Sequence, residues 1–260
     1  MSEIVYERRG AAAWIRLNRP DALNSLYDTL VRALAESMGR ARADVDVRAV
    51  VLTGTGRAFC AGGDLKAIRE LADTDTRGSQ GFLLDVGRVL ESLERFPKPV
   101  IAAVNGLAMA GGLEIVLSCD LVVAVDTAPM GDAHSNYGLI PGGGASIRLP
   151  RRVGRSVASF LLFTGKALPA GQLVASGLVN MAVPEDQLTA TVDELVESIA
   201  AKSPLGLARI KQLINDGLDQ PLPTGLRLEL LASEAHAKSY DMAEGLAAFA
   251  AKRAPVFKGC

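Results

Sequence analysis

The stretch of residues 98–120, KPVIAAVNGLAMAGGLEIVLSCD, joins a predicted buried strand to a predicted helix that begins at two glycines. Residues 100–104 are apolar, are β-branched at both ends and follow a proline, a pattern typical of a buried strand. The Asn-Gly pair at 105–106 then predicts a turn. Gly111 and Gly112 precede residues 113–119, a mainly apolar run that predicts a short helix.

The start of this helix is a candidate binding site. The first N–H groups of a helix have no partner within it, and the helix dipole places partial positive charge there. Glycine has no side chain to block a ligand from these donors. Glu114 lies three residues after Gly111, about one turn on and on the same side of the helix. We therefore expect an oxyanion-binding N–H with a carboxylate near it, which suits chemistry beside a carbonyl group.

Glu114 is also predicted to be buried. Leu113, Ile115 and Val116 surround it in the sequence, and a carboxylate among apolar residues is costly to ionise, which makes it a candidate proton carrier. A glutamate in a first helical turn also interacts favourably with the helix dipole. The local pattern therefore leaves a catalytic and a purely structural role open.

The composition excludes several classes of protein. The chain has 260 residues, of which 49% are hydrophobic and 22% charged, and its formal net charge is -1, so we expect no nucleic acid partner. An apolar run of about 18 residues and a signal-peptide pattern are both missing, which predicts a cytoplasmic protein without a membrane partner. Three scattered cysteines and two histidines argue against a disulfide framework or a metal site.

Strands and helices alternate early in the chain, and helices dominate late, which predicts an α/β core followed by a helical C-terminal appendage. Strands are predicted at 4–8, 12–17, 47–53, 100–104, 121–125 and 179–183, and helices at 28–43 and 79–95, with a loop-rich segment at 129–150 and mostly helix from about 155. Asp28, Asp64 and Ser203 are predicted N-caps, and Asp241 with Glu244 forms a capping-box pattern.

Several motifs together resemble the crotonase, or enoyl-CoA hydratase/isomerase, superfamily. The main ones are AFCAGGDL at 58–65 and IAAVNGLAMAGGLEIVLSCDL at 101–121. Supporting segments are LNRPDALNSL (17–26), GLIPGGGASIRLPRRVGR (138–155), LFTGKAL (162–168), ASGLVNMAV (175–183) and EGLAAFAAKRAPVFKG (244–259). The resemblance implies a crotonase-like spiral of ββα units over residues 1–198. It also implies a helical trimerisation region over residues 199–260.

The resemblance implies an acyl-CoA thioester as substrate, with no separate cofactor because coenzyme A is part of the substrate. The N–H groups of Ala61 and Gly111 would form an oxyanion hole that holds the thioester oxygen and stabilises an enolate. Ala61, Gly62, Asp64 and Leu65 match the segment that binds the coenzyme A adenine.

The coenzyme A nucleotide would also be contacted from a neighbouring subunit. Phe249 and Lys252 match the positions that reach it in the family, and a cation suits a phosphate. The alternative for Lys252 is an ordinary solvated lysine beside Arg253.

The second catalytic carboxylate of the superfamily's hydratases is not found. Glu114 matches the first, but counting back from Gly138 places His134 where the second glutamate would be. Imidazole titrates near neutral pH, so His134 is a candidate base or water-holding group. A role limited to hydrogen bonding within the loop is the alternative, and Asp132 would replace the glutamate if the loop were reshaped.

We therefore expect an enzyme that hydrates 2-enoyl-CoA to 3-hydroxyacyl-CoA, with Glu114 carrying protons and His134 assisting. An enoyl-CoA isomerase that uses Glu114 alone is the main alternative, followed by a hydrolase or decarboxylase of the same superfamily. A non-catalytic RNA-binding relative would need a strongly basic helix. The first predicted helix instead mixes arginines with acidic residues.

The resemblance also implies a homotrimer or a dimer of trimers assembled through the C-terminal helices. Leu226, Leu230 and Leu231 would form an apolar stripe that a small helical region cannot bury alone. Sedimentation velocity at micromolar concentration is therefore expected to give a trimer or a hexamer. A stable monomer would contradict this prediction, and with it the shared-subunit role of Phe249 and Lys252.

Overall fold

The computed structural model describes residues 2–74 and 78–260. The strands are β1 (Ile4–Arg9), β2 (Ala12–Leu17), β3 (Ala49–Gly54), β4 (Ala58–Cys60), β5 (Val100–Val104), β6 (Leu107–Met109), β7 (Leu121–Val125), β8 (Pro129–Gly131), β9 (Ala167–Pro169) and β10 (Met181–Val183). The α-helices are α1 (Asp28–Ala43), α2 (Leu65–Thr74), α3 (Gly78–Glu94), α4 (Gly111–Leu117), α5 (Ala145–Thr164), α6 (Leu188–Ala200), α7 (Pro204–Leu218), α8 (Leu222–His236) and α9 (Tyr240–Ala250).

The strands form two sheets. The larger has the order β1-β2-β3-β5-β7-β10, with an antiparallel β1–β2 pair and parallel pairs elsewhere. The smaller has the order β4-β6-β8-β9. Strand β5 lies between β3 and β7, with Ile101 opposite Val51 and Leu121, and all five of its residues are fully buried. This burial explains its continuous apolar run, because both faces of an internal parallel strand are covered.

The predicted spiral of ββα units is confirmed by the order of the elements. A strand of the large sheet is followed by a strand of the small sheet and then by a helix in three successive places. These are β3-β4-α2, β5-β6-α4 and β7-β8-α5. Each repeat therefore brings the start of a helix to the small sheet.

The strands of the small sheet were missed by sequence reasoning. The sequence predicts a loop at residues 129–131 and no strand at residues 107–109, because three residues are too few to show an alternating pattern. Helix α5 also begins earlier than predicted. It starts at Ala145 rather than near residue 155, and it bends at Gly154, where φ is 76°.

Two of the predicted helix caps are confirmed. Asp64 Oδ1 accepts hydrogen bonds from the N–H groups of Lys66 and Ala67 (3.2 and 3.3 Å). The Ser203 hydroxyl accepts one from the N–H of Gly206 (2.9 Å).

The other two predicted caps are wrong. Asp28 is the first residue of α1, which follows Tyr27, and it pairs with Arg32. Ser239 rather than Asp241 caps α9, since its hydroxyl accepts from the N–H of Met242 (3.2 Å). The Asp241 carboxylate is instead used to bind the C-terminal segment, at the N–H groups of Lys258 and Gly259.

The C-terminal region is helical, as predicted, and α7 is attached to the core through Lys211. The buried Nζ of Lys211 donates to Oδ2 of Asp120 (2.7 Å) and to the carbonyl of Leu93 (2.9 Å). The division into units at residue 198 stays a prediction. Within the described part of the chain, every helix is too short or too polar to cross a membrane.

Asn24 holds the segment that leads into α1 against the loop of residues 54–63. Its side chain is fully buried and its φ is 56°. Nδ2 donates to the carbonyls of Ala58 (2.7 Å) and Thr55 (3.0 Å), and Oδ1 accepts from the Arg19 N–H (2.8 Å). Both N–H donors of the Asn24 amide therefore bind the loop of residues 54–63, while its oxygen binds the segment that carries Asn24 itself. The two segments border the site described next.

Asn24→Ala is expected to lower the free energy of unfolding by about 3 kcal/mol, because buried polar groups lose their partners. Asn18→Ala is the matched control, since Asn18 makes an exposed bond to the Ser2 carbonyl (2.9 Å) and its loss should cost about 0.5 kcal/mol or less. Urea unfolding of both variants measures the difference. Equal midpoints for the two variants would show that Asn24 does not stabilise this loop.

Candidate active site

Glu114 is buried at the start of α4, as predicted, and is only 3% exposed. Its carboxylate accepts two backbone hydrogen bonds at Oε1, from the N–H groups of Gly143 (2.8 Å) and Ala145 (3.0 Å). Burial raises the pKa of Glu114 above its ordinary value, although these two donors oppose the shift. The carboxyl group of Glu114 therefore holds a proton more tightly than an exposed glutamate does.

The N–H groups of Gly63 and Gly111, near Glu114, have no acceptor among the described residues. Gly111 is the first residue of α4, so its N–H has no partner within the helix. The two residues lie close together, since a Cβ atom built on Gly111 would be only 3.5 Å from the nitrogen of Gly63. A pair of backbone donors in this arrangement can stabilise negative charge on a single oxygen atom.

The prediction for Ala61 is corrected by this geometry. The N–H of Ala61 donates to the carbonyl of Leu23 (3.0 Å), the residue before Asn24. It is therefore not available to a ligand. The free donor lies two residues further on, at Gly63. A signal for it was present in the sequence, because Gly62-Gly63 repeats the pair of glycines seen at Gly111-Gly112.

His134 is held by Asp132. Its Nδ1 lies 2.8 Å from Oδ2 of Asp132, and its backbone N–H donates to Oδ1 of the same carboxylate (3.0 Å). Asp132 is 1% exposed and accepts both bonds, which assigns a proton to Nδ1 and leaves Nε2 for other contacts. Asp132 thus binds the imidazole rather than taking the place of the second glutamate.

The pKa of His134 reflects opposing effects. Burial lowers it, but the hydrogen bond and the negative charge of Asp132, together with the charge of Glu114, outweigh burial and raise the pKa above 6.5. The influence also runs the other way, since His134 favours the charged form of Glu114. The two groups are therefore close enough to affect each other's protonation.

One cavity of about 230 Å³ brings most of these residues together. Its polar wall contains Ala61, Gly63, Gly111, Glu114 and His134. The rest is mainly apolar and is lined by residues such as Leu65, Phe82, Val86, Leu139 and Ile140. The site thus has two titratable side chains and two backbone donors beside a space suited to an apolar group.

The residues predicted to bind coenzyme A are not all at this cavity. Leu65 lines it, whereas Gly62 packs against Gly111 and is not among the lining residues. Asp64 caps α2 and pairs with Arg19 (3.1 Å). Phe249 is 86% exposed at the end of α9 and Lys252 follows that helix; neither lines the cavity within one chain. Their predicted role in a neighbouring subunit stays a prediction.

Burial raises the pKa of the Cys60 thiol to about 12, so it is not a thiolate nucleophile at neutral pH. Across residues 2–74 and 78–260, no three His, Cys, Asp or Glu side chains form a group that could hold a metal ion.

Known proteins of one family resemble this chain over nearly its whole length. Residues 7–260 match the model of the enoyl-CoA hydratase/isomerase family. The chain is 36% identical over 263 residues to the 2,3-dehydroadipyl-CoA hydratase of Escherichia coli K12, with 100% of both chains covered. It is 34% identical over 254 residues to the short-chain-enoyl-CoA hydratase of Clostridium acetobutylicum, covering 97% of this chain and 96% of the relative.

A solved structure extends the match to three dimensions. The crystal structure of an enoyl-CoA hydratase from Bacillus anthracis is 35% identical, covers 99% of this chain and 100% of that one, and superimposes with a TM-score of 0.93. The fold is therefore the crotonase fold. The chain belongs to the enoyl-CoA hydratase/isomerase family and is an enzyme of that family.

Asp132→Asn is expected to lower the pKa of His134, because it removes the negative charge that stabilises the imidazolium. Histidine NMR titration tests this directly, and with only two histidines in the chain His236 serves as an internal reference. Asp126→Asn is the matched control at an exposed site. A pKa of His134 that is unchanged by Asp132→Asn would show that Asp132 does not control its protonation.

Proposed function

We propose that this enzyme hydrates the double bond of a 2-enoyl-CoA to give a 3-hydroxyacyl-CoA. Water adds its oxygen to the β-carbon, and a proton is added to the α-carbon. During addition, negative charge develops on the thioester oxygen as an enolate forms. The N–H groups of Gly63 and Gly111 would bind this oxygen, and they need no reorganisation to do so.

Proton transfer in this proposal is divided between Glu114 and His134. The two N–H donors at Glu114 favour its carboxylate form, and Asp132 favours the imidazolium form of His134. Glu114 would therefore accept a proton from the attacking water, while His134 would deliver one to the α-carbon. The pair carries one proton before and after addition, so no net proton is gained or lost. The sequence makes His134 a candidate base or water-holding group, and this proposal assigns it the role of general acid instead.

The observation that carries the proposal is the contact between the buried Asp132 and His134 in a cavity shared with Glu114. Hydration needs two groups that handle protons, and this contact supplies the second where the family's hydratases would have a glutamate. An isomerase that moves one proton with Glu114 alone has no use for a held imidazole.

The acyl chain and the coenzyme A arm of the substrate are assigned to other residues in this proposal. The apolar wall formed by Phe82, Val86 and Leu139 would contact the acyl chain. The coenzyme A arm would pass along the segment at Leu65, and a neighbouring subunit would place Phe249 and Lys252 against its nucleotide. A trimeric assembly is therefore part of this proposal.

Glu114→Gln and His134→Ala are each expected to reduce the turnover of crotonyl-CoA by about a hundredfold or more, the range for loss of a general acid or base. Glu91→Gln, on exposed α3 surface, and His236→Ala, on α8, are the matched controls and should retain turnover. Loss of the enoyl absorbance gives the rate. Mass spectrometry of the product tests for the gain of one water molecule.

The same assays separate hydration from isomerisation. If the wild-type enzyme converts a 3-enoyl-CoA to a 2-enoyl-CoA without adding water, the reaction is isomerisation and the proposal is wrong. If His134→Ala keeps full hydration while Glu114→Gln loses it, His134 is not the second proton carrier. Full turnover by both variants would remove the mechanism altogether.

A further inference from the structure

The carboxylate of Glu114 is oriented by a loop rather than by its own helix. The N–H groups of Gly143 and Ala145 both donate to Oε1. They belong to the peptide groups on either side of the one that joins Gly143 to Gly144. The position of that central peptide therefore determines whether both donors reach the same oxygen atom.

The loop has little stiffness of its own. Residues 142–144 are three consecutive glycines, the most flexible sequence a backbone can have. Gly144 adopts φ of 100°, a conformation that other residues rarely take. An external contact is needed to keep this segment in a single arrangement.

Arg148 makes that contact. Its Nη1 donates to the carbonyl of Gly143 (2.6 Å), which belongs to the central peptide. Gly144 leaves the space for it, since a Cβ atom there would lie 2.1 Å from Nη1 of Arg148. The guanidinium group thus binds the carbonyl of the central peptide, while the N–H groups of the peptides on either side bind Glu114.

Arg148 is itself fixed by Glu94, the last residue of α3. Nε and Nη2 of Arg148 donate to the two carboxylate oxygens of Glu94 (2.6 and 2.7 Å). This bidentate geometry orients the planar guanidinium group. The carbonyl of Glu94 also accepts from Nδ2 of Asn215 on α7 (2.8 Å), which ties the end of α3 to a further helix.

We infer that Arg148, held by Glu94, is a positioning residue for the reaction. It fixes the loop at 142–145 so that two N–H groups hold the Glu114 carboxylate toward the substrate. The inference rests on the proposed function, in which Glu114 accepts a proton from water. Neither Arg148 nor Glu94 lines the cavity, so both act through the loop.

The arrangement also has an electrostatic consequence. The charged and titratable groups that interact with Glu114 are His134 and Asp132 after β8, which act on its pKa, and Arg148 on α5 and Cys60 on β4, whose pKa values Glu114 raises. The positive charge of Arg148 and the two N–H donors both favour the carboxylate. Removing Arg148 weakens both effects, so the pKa of Glu114 is expected to rise further.

Arg148→Met is the direct test, and Arg151→Met is its matched control. Arg151 lies on the same helix, carries the same charge and is 63% exposed, with a bond to the Ile147 carbonyl outside the loop. Arg148→Met should lose about a hundredfold in kcat, the effect of a misplaced catalytic group, with KM within about twofold of wild type. Arg151→Met should leave both parameters unchanged.

The pKa of Glu114 is measured separately, by NMR of enzyme with ¹³C-labelled glutamate carboxyl groups, with Glu114→Gln used to assign the signal. Arg148→Met should shift this titration to higher pH, and Arg151→Met should not. Arg148→Lys and Glu94→Gln retain polar groups and should give intermediate shifts, which provides a test if Arg148→Met does not fold.

The results distinguish this inference from the proposed function. An unchanged titration of Glu114 in folded Arg148 variants, with lower thermal stability alone, would show that Arg148 is only structural and would overturn the inference. If wild type fails to hydrate any enoyl-CoA but the titration still shifts, the proposed reaction is wrong while the positioning of Glu114 by Arg148 stands.

Discussion

Burial of the Glu114 carboxylate is the constraint on which the rest of the site depends. A carboxylate that is 3% exposed would be very costly without partners, and α4 cannot supply them because its own N–H groups point along the helix. The partners come from Gly143 and Ala145, about thirty residues later in the chain. The fold must therefore hold the start of α4 and the start of α5 together to within hydrogen-bonding distance.

The repeated ββα unit meets this requirement. Each short strand of the small sheet ends where a helix or loop of the site begins, so β4, β6 and β8 lead to Gly63, Gly111 and His134 in turn. Parallel pairing of β4 with β6 and of β6 with β8 places these three segments side by side. The two free N–H groups, the glutamate and the histidine thus converge because the supports beneath them are adjacent strands.

Asp132 and His134 show how the site differs from one built on two glutamates. With a second carboxylate beside Glu114, repulsion between like charges would disfavour ionisation of both groups, so the pair would keep one proton. An imidazole held by a buried aspartate has a raised pKa, and its positive charge when protonated favours the ionised form of Glu114. The electrostatic balance of the pair is consequently different, although both arrangements can hold one exchangeable proton.

The sequence by itself determined the α/β core, the buried strand at 100–104, the helix starting at Gly111 and the burial of Glu114, because each depends on a local pattern of apolar residues and glycines. It also identified His134 as a departure from the family. Only the tertiary structure decided that Gly63 rather than Ala61 has the free N–H, since the carbonyl that binds Ala61 is Leu23, far away in the sequence. The same holds for the strands at 107–109 and 129–131 and for the contacts of Arg148 with Gly143 and Glu94. Hydrogen bonds between distant segments leave no periodic signal, so they become visible only when the chain has folded.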